Sequence, residues 1–269
     1  MSRHRRVRGS WRALLALGAA GVVVWFAAGD ASRLGLGQAG GHTTGEAVRF
    51  EDLVEGGGDV AVALADVEVR PEAEVAGFDR DLFGPSWSDD VRVAGGHDGC
   101  DTRNDVLRRD LDGLVVQQGT RGCVALSGTL TDPYTGTVLP FERGEDSGSQ
   151  IHVDHLVSLG DAWASGAREL SPAARQDLAN DPLNLWAVDG RQNQAKSDAA
   201  ADGWLPTGEQ ARCRLVAHQV AVKARYGLSM TPAEREAIAR VLARPRCEDQ
   251  SLPTVASTRP PAPRTGEGR

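Results

Sequence analysis

The chain has 269 residues, of which 41% are hydrophobic and 25% charged. Those proportions suit one folded globular domain with tails, or at most two small ones. The net charge of −7 counts against a protein that grips nucleic acid over a broad surface, because phosphate binding normally shows as a basic patch.

Residues 3–12 read RHRRVRGSWR, and the uncharged run ALLALGAAGVVVWFAAG follows over 13–29. A basic segment ahead of a short apolar run is the pattern of an export signal. Small residues at 27–29 suit cleavage there. The alternative is an uncleaved anchor that attaches the protein to the membrane with its basic end in the cytoplasm. Both predict an exported protein, either secreted or held on the outer face of the cytoplasmic membrane. Removing residues 1–29, which hold five Arg and no acid, takes the net charge from −7 to −12. Any action on nucleic acid must then rest on local chemistry. The four cysteines, Cys100, Cys123, Cys213 and Cys247, include no CxxC pair and agree with an oxidising compartment. Their order suggests Cys100–Cys123 and Cys213–Cys247, one of three pairings.

Residues 30–47 are rich in Gly, Ala and Thr and read as a linker. A folded domain is expected over 48–247. Alternating apolar residues (Val60, Val62, Leu64; Val67, Val69) predict one or two strands within 48–78. The stretch FDRDLFGPSW (78–87) reads as a turn beside buried aromatics. A short helix is predicted over 101–111 and a strand over 123–130. DPYTG (132–136) is a turn, and 137–141 is its returning partner strand. Residues 151–156 form a third β-type run. Helices follow: one from Ser171–Pro172, with Ser as N-cap; one over 191–201 capped by Asp189; and one from Thr207 to Tyr226 closed by Gly227. A last helix opens on the capping box Thr231-Pro-Ala-Glu234. Residues 248–269 are rich in Pro, Thr, Ser and Arg and predict a disordered tail.

The chemistry concentrates in IHVDHLVSLGDAW (151–163) and ANDPLNLWAVDGRQNQAKSD (179–198). Metal-assisted cleavage of a phosphodiester needs a divalent cation on a phosphate oxygen and a base that takes a proton from water. Oxygen ligands suit hard cations. Asp154 and Asn193 supply a carboxylate and an amide oxygen, and His155 is the nearby side chain that titrates near neutrality. Lys196, three residues past Asn193 on the same helical face, can reach a phosphate as a point charge. Adjacent strand residues point to opposite faces, so Asp154 and His155 converge only if the strand ends, twists or bulges there. His152 shares the face of Asp154 and reads as exposed. Trp163, Trp186 and Trp204 read as core, and Arg108 and Arg109 as a solvated helix face.

These stretches, together with FDRDLFGPSW, CDTRNDVLRRDL, GTLTDPYTG and a late WLP…C…VK..Y run, resemble the HNH, or ββα-metal, endonucleases. The likeness covers residues 78–247 and is to the HNH family found at the C-terminus of GmrSD-type restriction enzymes and as exported actinobacterial proteins. It implies an α+β fold: a ββα-metal core in a mainly helical domain with a small antiparallel sheet. It implies Asp154 and Asn193 as metal ligands, His155 as general base, and Asn184 as the residue that braces the loop and orients the base. Lys196 becomes a phosphate or transition-state contact, and Arg103 of CDTRN a further phosphate contact. The cofactor implied is a divalent metal, Mg²⁺ ahead of Mn²⁺, and the partner is nucleic acid, DNA ahead of RNA. Asn in place of His at position 193 should weaken affinity for softer metals such as zinc. A non-catalytic extracellular binding module on the same scaffold is the competing function. A serine hydrolase would need G-x-S-x-G and a zinc peptidase H-E-x-x-H, and neither is present.

Overall fold

The computed structural model describes residues 58–71, 73, 75–144, 150–247 and 251–253, all within the compact unit Ala47–Arg269. The export segment, the linker and most of the predicted tail lie outside these residues. Among the described residues no helix is long and apolar enough to cross a membrane.

The chain opens with a helix where strands are predicted. Helix α1 is Val60–Asp66, capped by Asp59, whose carboxylate accepts from Ala61 N at 2.6 Å. The apparent alternation fails because Ala residues fill the gaps and favour helix. Val60, Ala63 and Leu64 form the buried helical stripe, while Val62 is 46% exposed. A 3-10 turn, Arg80–Phe83, follows, and Phe83 anchors it against Phe78 and Trp163. Helix α2 is Thr102–Asp110, with Asp101 accepting from Asn104 N at 2.8 Å. It runs directly into β1, Leu111–Val116, which pairs antiparallel with β2, Ala125–Thr131, and β2 with β3, Val138–Glu142.

The strand at Ile151–His155, β4, does not join that sheet. It pairs antiparallel with β5, Leu185–Asp189, in the register Asp154↔Trp186 and His155↔Leu185. Between them lie α3, Leu159–Ala164, and α4, Pro172–Asn180, the latter capped by Ser171. Helix α5, Gly190–Lys196, is N-capped by Asp189 at the end of β5 and stops at Ser197, whose φ of +50° ends it before the predicted Ala201. Helix α6, Glu209–Tyr226, closes on the left-handed Gly227, and α7 is Pro232–Leu242. The product is an α+β domain with seven helices among the described residues and two small antiparallel sheets.

The larger apolar cluster lies among the helices, with Leu178, Val216, Val220 and Ile238 fully buried. A second cluster joins α2 to both sheets through Val106, Leu107, Leu130, Ile151 and Leu185. Arg108 and Arg109 are not a solvated face. Arg108 is 6% exposed and paired with Asp105 at 2.9 Å. Arg109 donates to Pro182 O at 3.0 Å and Leu185 O at 2.6 Å, while Asp110 accepts from Ala187 N at 2.8 Å. Two charged residues of α2 thus grip the backbone of β5 from its outer edge. The predicted disulfides are both present, Cys100–Cys123 and Cys213–Cys247. Within the predicted tail, Leu252 is buried and its N–H donates to Gly58 O at 2.8 Å.

Candidate active site

Strands β4 and β5 and helix α5 make a ββα unit. Alternation along β4 sends His152 and Asp154 to the face covered by α5, and Ile151, Val153 and His155 to the other. The strand ends at His155, so both neighbours reach one cavity of about 310 Å³ at its tip. Arg80, Trp87, His152, Asp154, His155, Ser158, Asn193 and Asp198 line it.

Asp154 is 4% exposed. Its Oδ1 accepts from Lys196 Nζ at 3.0 Å and its Oδ2 from Tyr134 OH at 2.5 Å. Burial pushes its carboxyl up from the ordinary range, opposed by the Lys196 charge and the Tyr134 hydrogen bond. Burial beside Asp154 also holds the Tyr134 phenol well above its usual pKa, so it stays a donor. A carboxylate oxygen has two acceptor sites. One on each oxygen of Asp154 is therefore left for a cation.

His155 lies under Trp87, rings stacked at 5.8 Å and 11°. Its Nε2 is 2.9 Å from Ala179 O. A carbonyl only accepts, so Nε2 carries the proton and Nδ1 of the neutral ring is left unprotonated. Burial lowers the ring's pKa to about 4; the Ala179 bond opposes this, and the charges of Arg80 and Lys196 add to it. The imidazole is therefore neutral at pH 7, with its Nδ1 lone pair unprotonated.

Asn184 is fully buried. Its Oδ1 accepts from Val157 N at 2.8 Å and its Nδ2 donates to Val157 O at 3.1 Å, while Leu156 N donates to Asn184 O at 2.8 Å. This pins the chain where it leaves His155. Asn193, on α5, is half-buried, with Nδ2 3.1 Å from His152 Nδ1. That contact turns the amide nitrogen toward His152.

Two expected phosphate contacts sit elsewhere. Lys196 is 1% exposed and spends its ammonium on Asp154 and on His155 O at 2.7 Å. Helical spacing puts it on the face of Asn193 but does not say that this face is closed at its inner end. Arg103 does not line the cavity. Its guanidinium donates to Ile151 O at 3.4 Å, and burial beside Arg143 holds it below its usual pKa. His152, expected on the face of Asp154 but exposed, is half-buried on the cavity. Four further lining or supporting residues, Tyr134, Arg80, Trp87 and Asp198, escape the sequence reading. Tyr134 hides in a turn motif, and Arg80 and Trp87 in FDRDLFGPSW. A Cβ on Gly160 would stand 3.0 Å from Cγ of Asp198, so a larger residue there would press on that carboxylate.

The donor set on the cavity is two carboxylates, Asp154 and Asp198, the amide of Asn193 and the imidazole of His152. Oxygen-dominated sets of this kind suit a hard divalent cation. Among the described residues, the one group of three or more His, Cys, Asp or Glu whose potential metal-ligand atoms lie within 4.8 Å of one another is elsewhere, at Asp98, Cys100 and Asp105. Its sulfur is committed to the disulfide with Cys123, and none of the three lines the cavity.

Residues 101–241 match the model of the C-terminal domain of GmrSD restriction endonucleases, just over half of the chain. The chain belongs to that family. The GmrSD C-terminal domain is of the HNH type, and this chain is accordingly an HNH-type nuclease domain, with the ββα unit, Asp154, His155 and Asn193 inside the matched segment. A relative from Arthroderma benhamiae, described as an uncharacterized secreted protein, is 35% identical over 181 residues, covering 66% of this chain and 81% of the relative. No solved structure matches.

Proposed function

We propose that this HNH domain is a metal-dependent endonuclease that cleaves DNA outside the cytoplasm. The observation that carries the reading is the tautomer of His155. Ala179 O accepts the Nε2–H hydrogen bond, which leaves Nδ1 without a proton, and the ring lines a cavity shared with Asp154 and Asn193.

Asp154 and Asn193 would hold a divalent cation, Mg²⁺ or Mn²⁺, with His152 beside Asn193. When bound, that cation neutralises charge on the phosphate and on the departing oxygen. His155 Nδ1 takes a proton from water as the water oxygen bonds to phosphorus and the ester P–O bond breaks; solvent returns a proton to the leaving oxygen. Trp87 covers the ring and limits the water that reaches it. Lys196 and Tyr134 fix the carboxylate of Asp154, and Asn184 fixes the turn after His155. These are positioning roles.

Export rests on the basic-then-apolar segment at 3–29, on the two disulfides and on the relative described as secreted. The acidic net charge fits a substrate held by local contacts rather than by a broad field.

Plasmid DNA incubated with the purified chain and Mg²⁺ or Mn²⁺, with and without EDTA, tests the reading. Nicking or linearisation abolished by EDTA is expected. No cleavage with any divalent metal would favour a non-catalytic binding module.

A further inference from the structure

A nuclease must meet the negative phosphate with a positive or hydrogen-bond-donating group aimed at its non-bridging oxygens. Neither Lys196, closed off beneath Asp154, nor Arg103, away from the cavity, is placed for this. Of the residues lining the cavity, Arg80 is the one Lys or Arg.

Arg92 is paired with Asp177, Arg108 with Asp105, Arg109 with Asp110 and Arg191 with Asp189, while Arg103 and Arg175 are spent on the carbonyls of Ile151, Leu82 and Leu170. Arg80 is exposed and, among the described residues, has no ion pair. Its neighbour Asp79 is occupied as the cap of the turn, accepting from Asp81 N at 3.0 Å. The charge nevertheless lies close to the reacting centre, since Arg80 lines the same cavity as Asp154, His155 and Asn193.

The mount is rigid although the side chain is free. Phe83, 1% exposed, plugs the turn into the core. Arg175 Nε donates to Leu82 O at 2.8 Å. Gly84, at φ +83°, leaves room for Gln176, which a Cβ there would meet at 3.1 Å. A cation on a fixed backbone and unspent on any acid is set to meet an anion without breaking an existing pair.

We infer that Arg80 binds the scissile phosphodiester, its guanidinium donating to a non-bridging oxygen at the mouth of the cavity lined by His155, Asp154 and Asn193. The inference rests on the nuclease reading above. Arg80 exchanges no proton in the reaction. Contact with phosphate alone carries no base information, so this anchor is indifferent to sequence.

Arg80→Ala and Arg80→Lys, compared with the wild-type chain on plasmid DNA in Mg²⁺, test it. Arg80→Ala should lower kcat/KM by about 100-fold, with melting temperature and Mn²⁺ affinity (measured by calorimetry) unchanged. Its binding to DNA in EDTA should lose about one unit from the slope of log affinity against log salt. Millimolar guanidinium ion, far below denaturing concentration, should restore part of the lost rate, and Arg80→Lys should retain more activity than Arg80→Ala. Wild-type rates in Arg80→Ala, or a loss accompanied by weaker Mn²⁺ binding or a lower melting temperature, would overturn the assignment while leaving the nuclease reading intact. An inactive wild-type chain would remove that reading and this inference together.

Discussion

Asp154 sits between Lys196 Nζ and Tyr134 OH, and the cost of that arrangement is testable. A buried carboxylate that loses its cation is left uncompensated, which costs about 3–5 kcal/mol. Lys196→Met should therefore lower unfolding free energy by that order in urea titrations. A surface phosphate contact would change stability hardly at all, so a neutral result would return Lys196 to the role its spacing suggests. His155 makes a second prediction. Its folded pKa of about 4 lies below the ordinary 6.5, so between those values the unfolded chain takes up a proton that the folded chain refuses. The residue's contribution to stability is full above pH 6.5 and falls as pH drops toward 4, by up to about 3 kcal/mol. The stability difference between wild type and His155→Gln should narrow as pH is lowered through that window; a constant difference would mean the ring is not buried neutral. The Trp87 stack and the Ala179 hydrogen bond predict that His155→Ala costs about 1–3 kcal/mol of stability.

At the scale of elements, the ββα unit is assembled from outside as much as from within. Tyr134, in the turn between β2 and β3, reaches Asp154, and Asp132 of the same turn accepts from Asp189 N at 3.0 Å. Arg109 and Asp110 hold the other edge of β5. Arg109→Ala removes charge-assisted bonds to two buried carbonyls and should cost about 1.5–3 kcal/mol by chemical denaturation; an effect near zero would restore the solvated-face reading. Much of this was legible in the residues. Ser171, Asp189 and Thr231 mark helix starts, and Gly227 an end, because capping chemistry is local. Strand β5 was not legible, since LWAVD is buried on both faces and has no alternation to read. The error at α1 has the mirror-image cause: Ala between Val and Leu imitates a strand's period. Asp154, His155 and Asn193 declared themselves by residue type and order. Tyr134, Arg80 and the inward turn of Lys196 depend on contacts across tens of residues that no local pattern carries.

For the whole molecule, the two disulfides close segments separated by 23 and 34 residues. One ties the loop ahead of α2 to the start of β2, and the other ties α6 to the chain after α7. Each should contribute about 3 kcal/mol, so reduction should lower the melting temperature by on the order of 10 °C. An unchanged melting curve would show that packing alone carries the fold. On the account proposed, the reactivity of this acidic, disulfide-braced chain is confined to one small cavity. The most direct test of that account is the rate of plasmid cleavage in Mg²⁺ by His155→Ala beside the wild-type chain, with both confirmed folded. The account predicts EDTA-sensitive cleavage by the wild type and a rate at least about 100-fold lower in the variant. Equal rates would contradict the assignment of His155 as the base on which the mechanism depends.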